Sequence, residues 1–177
     1  MKTELESKFE LYKTPNWAIE SIFKLYNPMG MNVLEPGCDT APHCEIAKTL
    51  GATSTTGVDL RMVGNAMCDN FVNDDFLSMH HMPIFNMVSM NPPFSSSVQF
   101  VENALKCITS DGIIVCLQRL NWLSSVSRKE FWERRHLSSV HIFSRRPSFK
   151  GGPTDAQEYA YFVFRKRAGQ NCILGWI

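Results

Sequence analysis

Apolar and polar residues alternate along the chain in two distinct patterns. Six short segments rich in apolar or β-branched residues predict strands at 32–35, 55–59, 85–90, 112–118, 140–143 and 159–164. Between them, apolar residues recur at helical spacing and predict helices over 14–26, 40–50, 98–108 and 127–135. Thr14 is expected to cap the first of these helices, with Pro15 at its first position. Residues 61–83 show no regular period.

Strands that alternate with helices require crossover connections, so the pattern predicts an α/β domain with a mainly parallel sheet covered on both faces. The loop 145–157 joins the last two predicted strands without a helix. One antiparallel edge strand is therefore expected. No linker or internal repeat interrupts the pattern, which predicts one domain over 1–170 and a loose tail over 171–177.

The amino-acid composition is typical of a globular domain. The 177 residues are 44% apolar, enough for a full core, and they contain no apolar run long enough for a membrane span. The polar N-terminus is unlike a secretory signal, so a cytoplasmic location is expected.

Residues 1–90 carry a net charge of −5 and residues 91–177 carry a net charge of +6. The basic half suggests a polyanionic partner, although a merely solvated surface would give the same count.

Two predicted strand ends carry residues suited to a nucleotide-type ligand. Glu35-Pro36-Gly37 follows the first strand, where glycine allows close backbone approach. Asp59 ends the second strand, 24 residues after Glu35, and a carboxylate there can accept two hydrogen bonds from a ribose diol. A simple turn at Gly37 and a helix cap at Asp59 are the structural alternatives. A Gly-x-Gly-x-x-Gly motif is absent from the sequence, which argues against NAD.

The motif Asn91-Pro92-Pro93-Phe94 follows the strand at 85–90. Two prolines stiffen the backbone and remove two N–H donors, so carbonyl acceptors lie beside an amide and an aromatic ring. The Asn91 side-chain oxygen and the Pro92 carbonyl could each accept one N–H of an amino group on a planar ring. Phe94 would then stack on that ring. The alternative is a rigid loop with Phe94 packed inward.

With these motifs in this order, the sequence resembles the S-adenosylmethionine-dependent DNA N6-adenine methyltransferases, particularly the small phage-type enzymes. Further similar segments are Tyr12-Lys13-Thr14-Pro15, Val58-Asp59, Asp75-Phe76, 145–149, 152–155 and 159–162. The resemblance implies a Rossmann-like methyltransferase fold with a seven-stranded sheet, and S-adenosyl-L-methionine as the cofactor. It also implies DNA as the partner.

The resemblance assigns roles to individual positions. The resemblance implies that the catalytic residues are Asn91, Pro92, Pro93 and Phe94. It implies that the cofactor-binding residues are Tyr12, Thr14, Pro15, Glu35, Pro36, Gly37, Asp59, Leu60, Asp75, Phe76 and Asn91. DNA contacts are expected at Arg119, Arg145, Arg146 and Lys150, and no metal ligands are expected. Asp39 departs from the family, which usually has a second glycine at this position.

The expected reaction is methyl transfer to the exocyclic N6 amine of adenine in DNA. No separate target-recognition domain is expected, so loops, a homodimer or an accessory protein would supply target recognition. The same acceptor chemistry also serves exocyclic amines in RNA and glutamine side chains in proteins. Because Asp39 replaces a glycine, a non-catalytic cofactor-binding module is a further alternative.

Overall fold

The computed structural model describes residues 13–80, 83–134, 136–149, 155–167, 169 and 171–177. Its eight strands form one sheet in the order β3-β2-β1-β4-β5-β7-β6-β8. The strands are β1 Asn32–Pro36, β2 Ser54–Asp59, β3 Asn70–Asn73, β4 Phe85–Met90, β5 Ile108–Arg119, β6 Leu137–Ile142, β7 Tyr159–Arg165 and β8 Ile173–Trp176. The α-helices are α1 Asn16–Leu25, α2 Pro42–Thr49, α3 Ser97–Lys106 and α4 Lys129–Glu133.

The predicted α/β class and the mainly parallel sheet are confirmed. Strand β7 runs antiparallel to both β5 and β6, whereas the other strand pairs are parallel. The expected antiparallel strand therefore exists in the edge region of the sheet, with β6 and β8 lying outside it. It pairs on both sides because its apolar residues alternate onto two buried faces.

The expected strand number and the expected tail are wrong. Eight strands form, because segment 171–177 contributes β8 beside β6 and residues 61–83 contribute β3 beside β2. Ile173, Leu174 and Trp176 in β8 are exposed, so no alternation between buried and exposed positions marks this strand in the sequence. Backbone pairing fixes it instead, and Ile177 N–H continues the pairing by donating to the Ile142 carbonyl at 2.9 Å.

Two apolar cores fill the opposite faces of the sheet. Consecutive residues of each central strand alternate between them, with Val33 and Met87 in the core under α1 and α2. Leu34 and Val88 face the other core, which is covered by α3 and α4. This arrangement confirms the prediction of helices on both faces. In the described part of the chain, no helix combines the length and apolar character needed to cross a membrane.

Strand order reverses between β1 and β4, and this reversal positions the candidate site. β1 continues to β2 and β3 on one side, whereas the chain returns to β4 and β5 on the other. The loops after β1 and β4 therefore separate at the carboxyl edge of the sheet and leave a crevice between them. The Glu35-Pro36-Gly37 turn and the Asn91 motif border that crevice.

Candidate cofactor and substrate site

A cavity of about 370 Å³ lies in this crevice, a volume within the usual range for small-molecule sites. It collects most of the predicted cofactor residues from five segments of the chain. The predicted residues that line it are Thr14, Glu35, Gly37, Asp59, Leu60, Asp75, Phe76, Asn91 and Pro93. Pro15, Pro36, Pro92 and Phe94 do not line it, and Tyr12 lies outside the described residues.

Gly37 lines the cavity without a side chain. Its φ angle is +66°, a conformation that favours glycine, and its N–H donates to the Val58 carbonyl at 2.8 Å. A Cβ atom here would lie 3.5 Å from the Phe100 ring and 4.0 Å from the Pro93 ring. Phe100, from α3, was not singled out in the sequence because one apolar residue on an amphipathic helix resembles any other core residue.

Glu35 connects the end of β1 to the start of α2. Its side chain is buried, and Oε2 accepts a hydrogen bond from the Cys44 backbone N–H at 2.9 Å. Burial raises its pKa from 4.5 to about 8, partly offset by hydrogen bonds from the Cys44 and His43 backbone. Glu35 is therefore mostly protonated at neutral pH while no cation lies beside it.

The loop between β1 and α2 adopts left-handed backbone conformations at two residues other than glycine. The φ angles are +48° at Asp39 and +59° at Ala41. The left-handed region is unfavourable for residues that carry a Cβ atom. The positive φ at Asp39 explains physically why a glycine suits this position in the family that the sequence resembles.

Asp59 lies at the end of β2, where its carboxylate faces the cavity. The backbone N–H groups of Asp39 and Arg61 donate to it at 2.8 and 2.9 Å. The Arg61 guanidinium donates from Nε at 3.1 Å and from Nη2 at 3.2 Å, and Nη2 also donates to Asp39 Oδ1 at 3.0 Å. Arg61 is a lining residue that the sequence analysis missed, because a single arginine after a strand carries no recognisable signal.

Apolar side chains form part of the cavity lining. Leu60 is 59% exposed and Leu77 is 37% exposed although both line the cavity, so a bound ligand would cover apolar surface that is now open to water. Phe76 is buried, and its ring lies 5.3 Å from the Phe100 ring. Asp75 uses its carboxylate locally, accepting from Leu77 N–H at 3.0 Å and from the Ser78 hydroxyl at 2.9 Å.

Asn91 follows β4 directly and lines the cavity. Its Nδ2 donates a hydrogen bond to Thr14 Oγ1 at 3.1 Å. Because the amide nitrogen is directed toward Thr14, the amide oxygen points away from it. The expected capping role of Thr14 is wrong: Pro15 is the N-cap residue of α1, without a side-chain capping bond.

The two prolines after Asn91 start the next helical segment. Pro92 is buried, and the Pro93 carbonyl accepts hydrogen bonds from Ser96 N–H at 3.0 Å and from the Ser97 hydroxyl at 3.1 Å. These bonds anchor a short 3₁₀ helix at 94–96 that leads into α3. Through them the position of the motif is fixed by α3 as well as by β4.

Phe94 is half-buried and packs against the core under α1 and α2. The Arg119 guanidinium carbon lies 4.6 Å from the centre of its ring, and the Tyr159 ring lies at 6.1 Å. Arg119 also hydrogen-bonds the Tyr159 hydroxyl, which donates to Asp155 Oδ2 at 3.0 Å. The predicted catalytic aromatic residue and the predicted nucleic-acid residue Arg119 are therefore neighbours.

The other predicted DNA contacts lie in the polar segment after β6. Arg145 stacks on Trp17, near the start of α1, with its guanidinium carbon 3.9 Å from the ring centre. Arg146 is exposed and pairs with Glu158 at 3.1 Å. Lys150 lies outside the described residues.

Comparison with known proteins supports the fold and does not identify a sequence family. No protein-family model matches the chain, and no curated protein has significantly similar sequence. A putative RNA methyltransferase from Pyrococcus horikoshii superimposes with a TM-score of 0.70 at 16% identity, covering 96% of this chain and 90% of that one. A TehB-like SAM-dependent methyltransferase from Corynebacterium glutamicum has a TM-score of 0.60 at 16% identity, covering 85% of this chain and 88% of that one.

The M protein of the type I restriction enzyme EcoKI is also similar, with a TM-score of 0.72 at 15% identity over 90% of this chain. The match covers 45% of that chain, so this chain corresponds to less than half of the M protein. At these identities the similarity establishes the architecture. The chain has the Rossmann-like fold that these SAM-dependent methyltransferases share.

Proposed function

We propose that the protein transfers a methyl group from S-adenosyl-L-methionine to the exocyclic N6 amine of adenine in DNA. The observation that carries the proposal is the position of Asn91, directly after β4 on the wall of the 370 Å³ cavity. Its hydrogen bond to Thr14 orients the amide oxygen away from Thr14, as an acceptor for an amino group. Two prolines follow it, as in the family that the sequence resembles.

The cavity residues fit the expected cofactor. Gly37 leaves room for close approach, Leu60 and Phe76 provide apolar surface for an adenine ring, and Asp59 provides a carboxylate at the end of β2 for a ribose. When bound, S-adenosyl-L-methionine supplies an electrophilic methyl group. Glu35, buried beside the Gly37 turn, is a carboxyl group that can ionise next to a cation.

In this proposal the protein activates the amine by positioning it. Asn91 Oδ1 and the Pro92 carbonyl each accept a hydrogen bond from one N–H group of the target amine. These two hydrogen bonds favour a pyramidal amine nitrogen and expose the lone pair of that nitrogen. These acceptors interact most strongly as positive charge develops on nitrogen, so they stabilise the transition state more than the bound substrate. No strong base is required, because the methylated nitrogen can lose its proton to water.

A base inside a duplex cannot reach such a site, so the proposal requires a flipped or single-stranded adenine. Two arginines stack on aromatic residues that are close in sequence to Asn91 and Thr14. Arg119 contacts Phe94, three residues after Asn91, and Arg145 contacts Trp17, three residues after Thr14. Arginines in contact with aromatic residues of these two segments favour a polyanionic substrate over a protein glutamine.

Methylation of RNA is a second candidate. The similarity to the putative RNA methyltransferase extends over nearly the full length of both chains. The site residues described above accept an adenine amine from either nucleic acid. The sugar and the substrate's shape would decide between them.

The test uses purified protein, labelled cofactor and four substrates: single-stranded DNA, double-stranded DNA, RNA and unfolded protein. Nucleoside mass spectrometry should detect N6-methyldeoxyadenosine, and Asn91→Ala should abolish it while cofactor affinity persists. Asn86→Ala is the matched control, because Asn86 is at the opposite end of β4 and its amide oxygen accepts from Asn32 N–H at 2.9 Å. Label in RNA alone would favour the second candidate, and cofactor binding without any transfer would indicate a non-catalytic module.

A further inference from the structure

The carboxylate of Asp59 has both oxygens engaged by the protein itself. Oδ1 accepts from the Arg61 backbone N–H and from Arg61 Nε, while Oδ2 accepts from the Asp39 backbone N–H and from Arg61 Nη2. A carboxylate has about four acceptor positions. These four donors therefore leave little capacity for a further ligand as long as the guanidinium stays in place.

The four donors differ in mobility. Two are backbone N–H groups, fixed by the loop after β1 and by the end of β2. The other two belong to the Arg61 side chain, and they bind one to each oxygen of Asp59. Withdrawal of the guanidinium would therefore vacate one acceptor position on each oxygen. A ribose diol, which donates through two neighbouring hydroxyl groups, needs this pair of positions.

We propose that Arg61 is a built-in competitor of the cofactor ribose, and that cofactor binding displaces its guanidinium from Asp59. The proposal rests on the proposed function, since it takes Asp59 as the ribose acceptor. Arg61 keeps a partner after the exchange, because Nη2 already donates to Asp39 Oδ1 at 3.0 Å. Asp39 is the more exposed of the two carboxylates, so the guanidinium can stay paired with it at the rim of the cavity.

This exchange makes Arg61 a determinant of cofactor affinity. The ion pair between Arg61 and Asp59 must be broken at each binding event, and its cost weakens binding of any ligand that carries the diol. Removal of the guanidinium fork should therefore strengthen binding of such ligands by about tenfold, which is the range of one charged hydrogen-bond pair. A ligand that lacks the diol does not need to displace Arg61, so its affinity should be the same for wild type and for the Arg61 variants.

The test compares adenosine with 2′,3′-dideoxyadenosine, two neutral ligands that differ in the diol. Their affinities for wild type, Arg61→Ala and Arg61→Lys are measured by competition against labelled S-adenosyl-L-methionine. Arg61→Lys keeps the positive charge without the fork, so it separates hydrogen bonding from net charge. Arg134→Ala is the control, because Arg134 forms a similar ion pair with Glu102, at 2.6 Å, outside the cavity.

The expected result is an approximately tenfold gain for adenosine in both Arg61 variants and no gain for the dideoxy ligand or for Arg134→Ala. Unchanged or weaker adenosine binding in Arg61→Lys, with wild type still binding the cofactor, would overturn the competitor role and leave the proposed function standing. Absence of cofactor binding to wild type would overturn both. Thermal unfolding of each variant shows whether the variant is folded. If Arg61→Ala does not fold, the comparison of wild type with Arg61→Lys still tests the proposal.

Discussion

The side-chain amide of Asn91 donates to the hydroxyl of Thr14 at 3.1 Å, joining the end of β4 to the residue two positions before α1. Thr14 is buried and 77 residues away along the chain. This hydrogen bond contributes to the orientation of the acceptor on which the proposed chemistry depends.

Thr14→Val is expected to reduce kcat for methyl transfer by about tenfold or more. Valine matches the shape of threonine but cannot accept the Asn91 N–H, so the amide loses its fixed orientation. Cofactor affinity should change by less than threefold, roughly the effect of one weak contact. Thr49→Val is the matched control, because the Thr49 hydroxyl donates to the Ile46 carbonyl within α2. Equal kcat values for wild type and Thr14→Val would remove this hydrogen bond from the mechanism.

Ala41→Gly is expected to stabilise the protein by about 1 kcal/mol. Ala41 has a φ of +59°, and glycine reaches this conformation without a Cβ penalty. In a chain of this size the gain corresponds to a rise in Tm of roughly 2–4 °C. Ala47→Gly, in the interior of α2, is the opposite control and should be destabilising by about 1 kcal/mol. A fall in Tm for Ala41→Gly would show that the loop does not store this strain.

Glu35→Gln is expected to change how the stability of the cofactor-free protein depends on pH. The pKa of Glu35 is raised from 4.5 to about 8 by burial, so between these values the folded state holds a proton that the unfolded state has lost. Wild type is therefore destabilised as pH rises from about 5 to about 8, whereas Glu35→Gln lacks this contribution.

Urea unfolding at pH 5, 6.5 and 8 measures the effect. The stability advantage of Glu35→Gln over wild type should grow with pH, on the order of 1–3 kcal/mol by the upper end. The buried His43, whose pKa is lowered to about 3, is present in both proteins and cancels from the difference. Glu20→Gln, on the exposed side of α1, is the control for removal of a carboxylate from the protein surface. A constant difference for Glu35→Gln would show that Glu35 is ionised in the folded state.

Tyr159→Phe is expected to raise KM for DNA severalfold while kcat stays within about twofold. The Tyr159 hydroxyl accepts from Arg119 and donates to Asp155, and its pKa of about 12 keeps it protonated. Its loss releases Arg119 from its position over Phe94, and that arginine is proposed to contact DNA. Tyr26→Phe, whose hydroxyl bonds Ser139 away from the site, is the control. A lower kcat at unchanged KM would place Tyr159 in the chemical step.

Local pattern was sufficient for the central part of the fold. The strands β5 and β7 are marked by apolar runs because they are buried on both faces, and such burial requires nearly continuous apolar sequence. The edge strands β3 and β8 lack such burial, so the sequence pattern did not predict them. Their side chains are largely half-buried or exposed, so backbone pairing with a neighbour decides their structure and leaves little pattern in the sequence.

The sequence by itself determined the α/β class, the order of the two motifs, and the proximity of Glu35, Gly37, Asp59 and Asn91 at one sheet edge. It could do so because parallel strands bring their carboxyl ends together whatever else the chain does. Only the tertiary structure decided that Thr14 bonds Asn91, that Arg119 covers Phe94, and that Arg61 binds Asp59. These are contacts between side chains, most of them from segments distant in sequence, and their geometry is fixed by packing, which the local pattern does not encode.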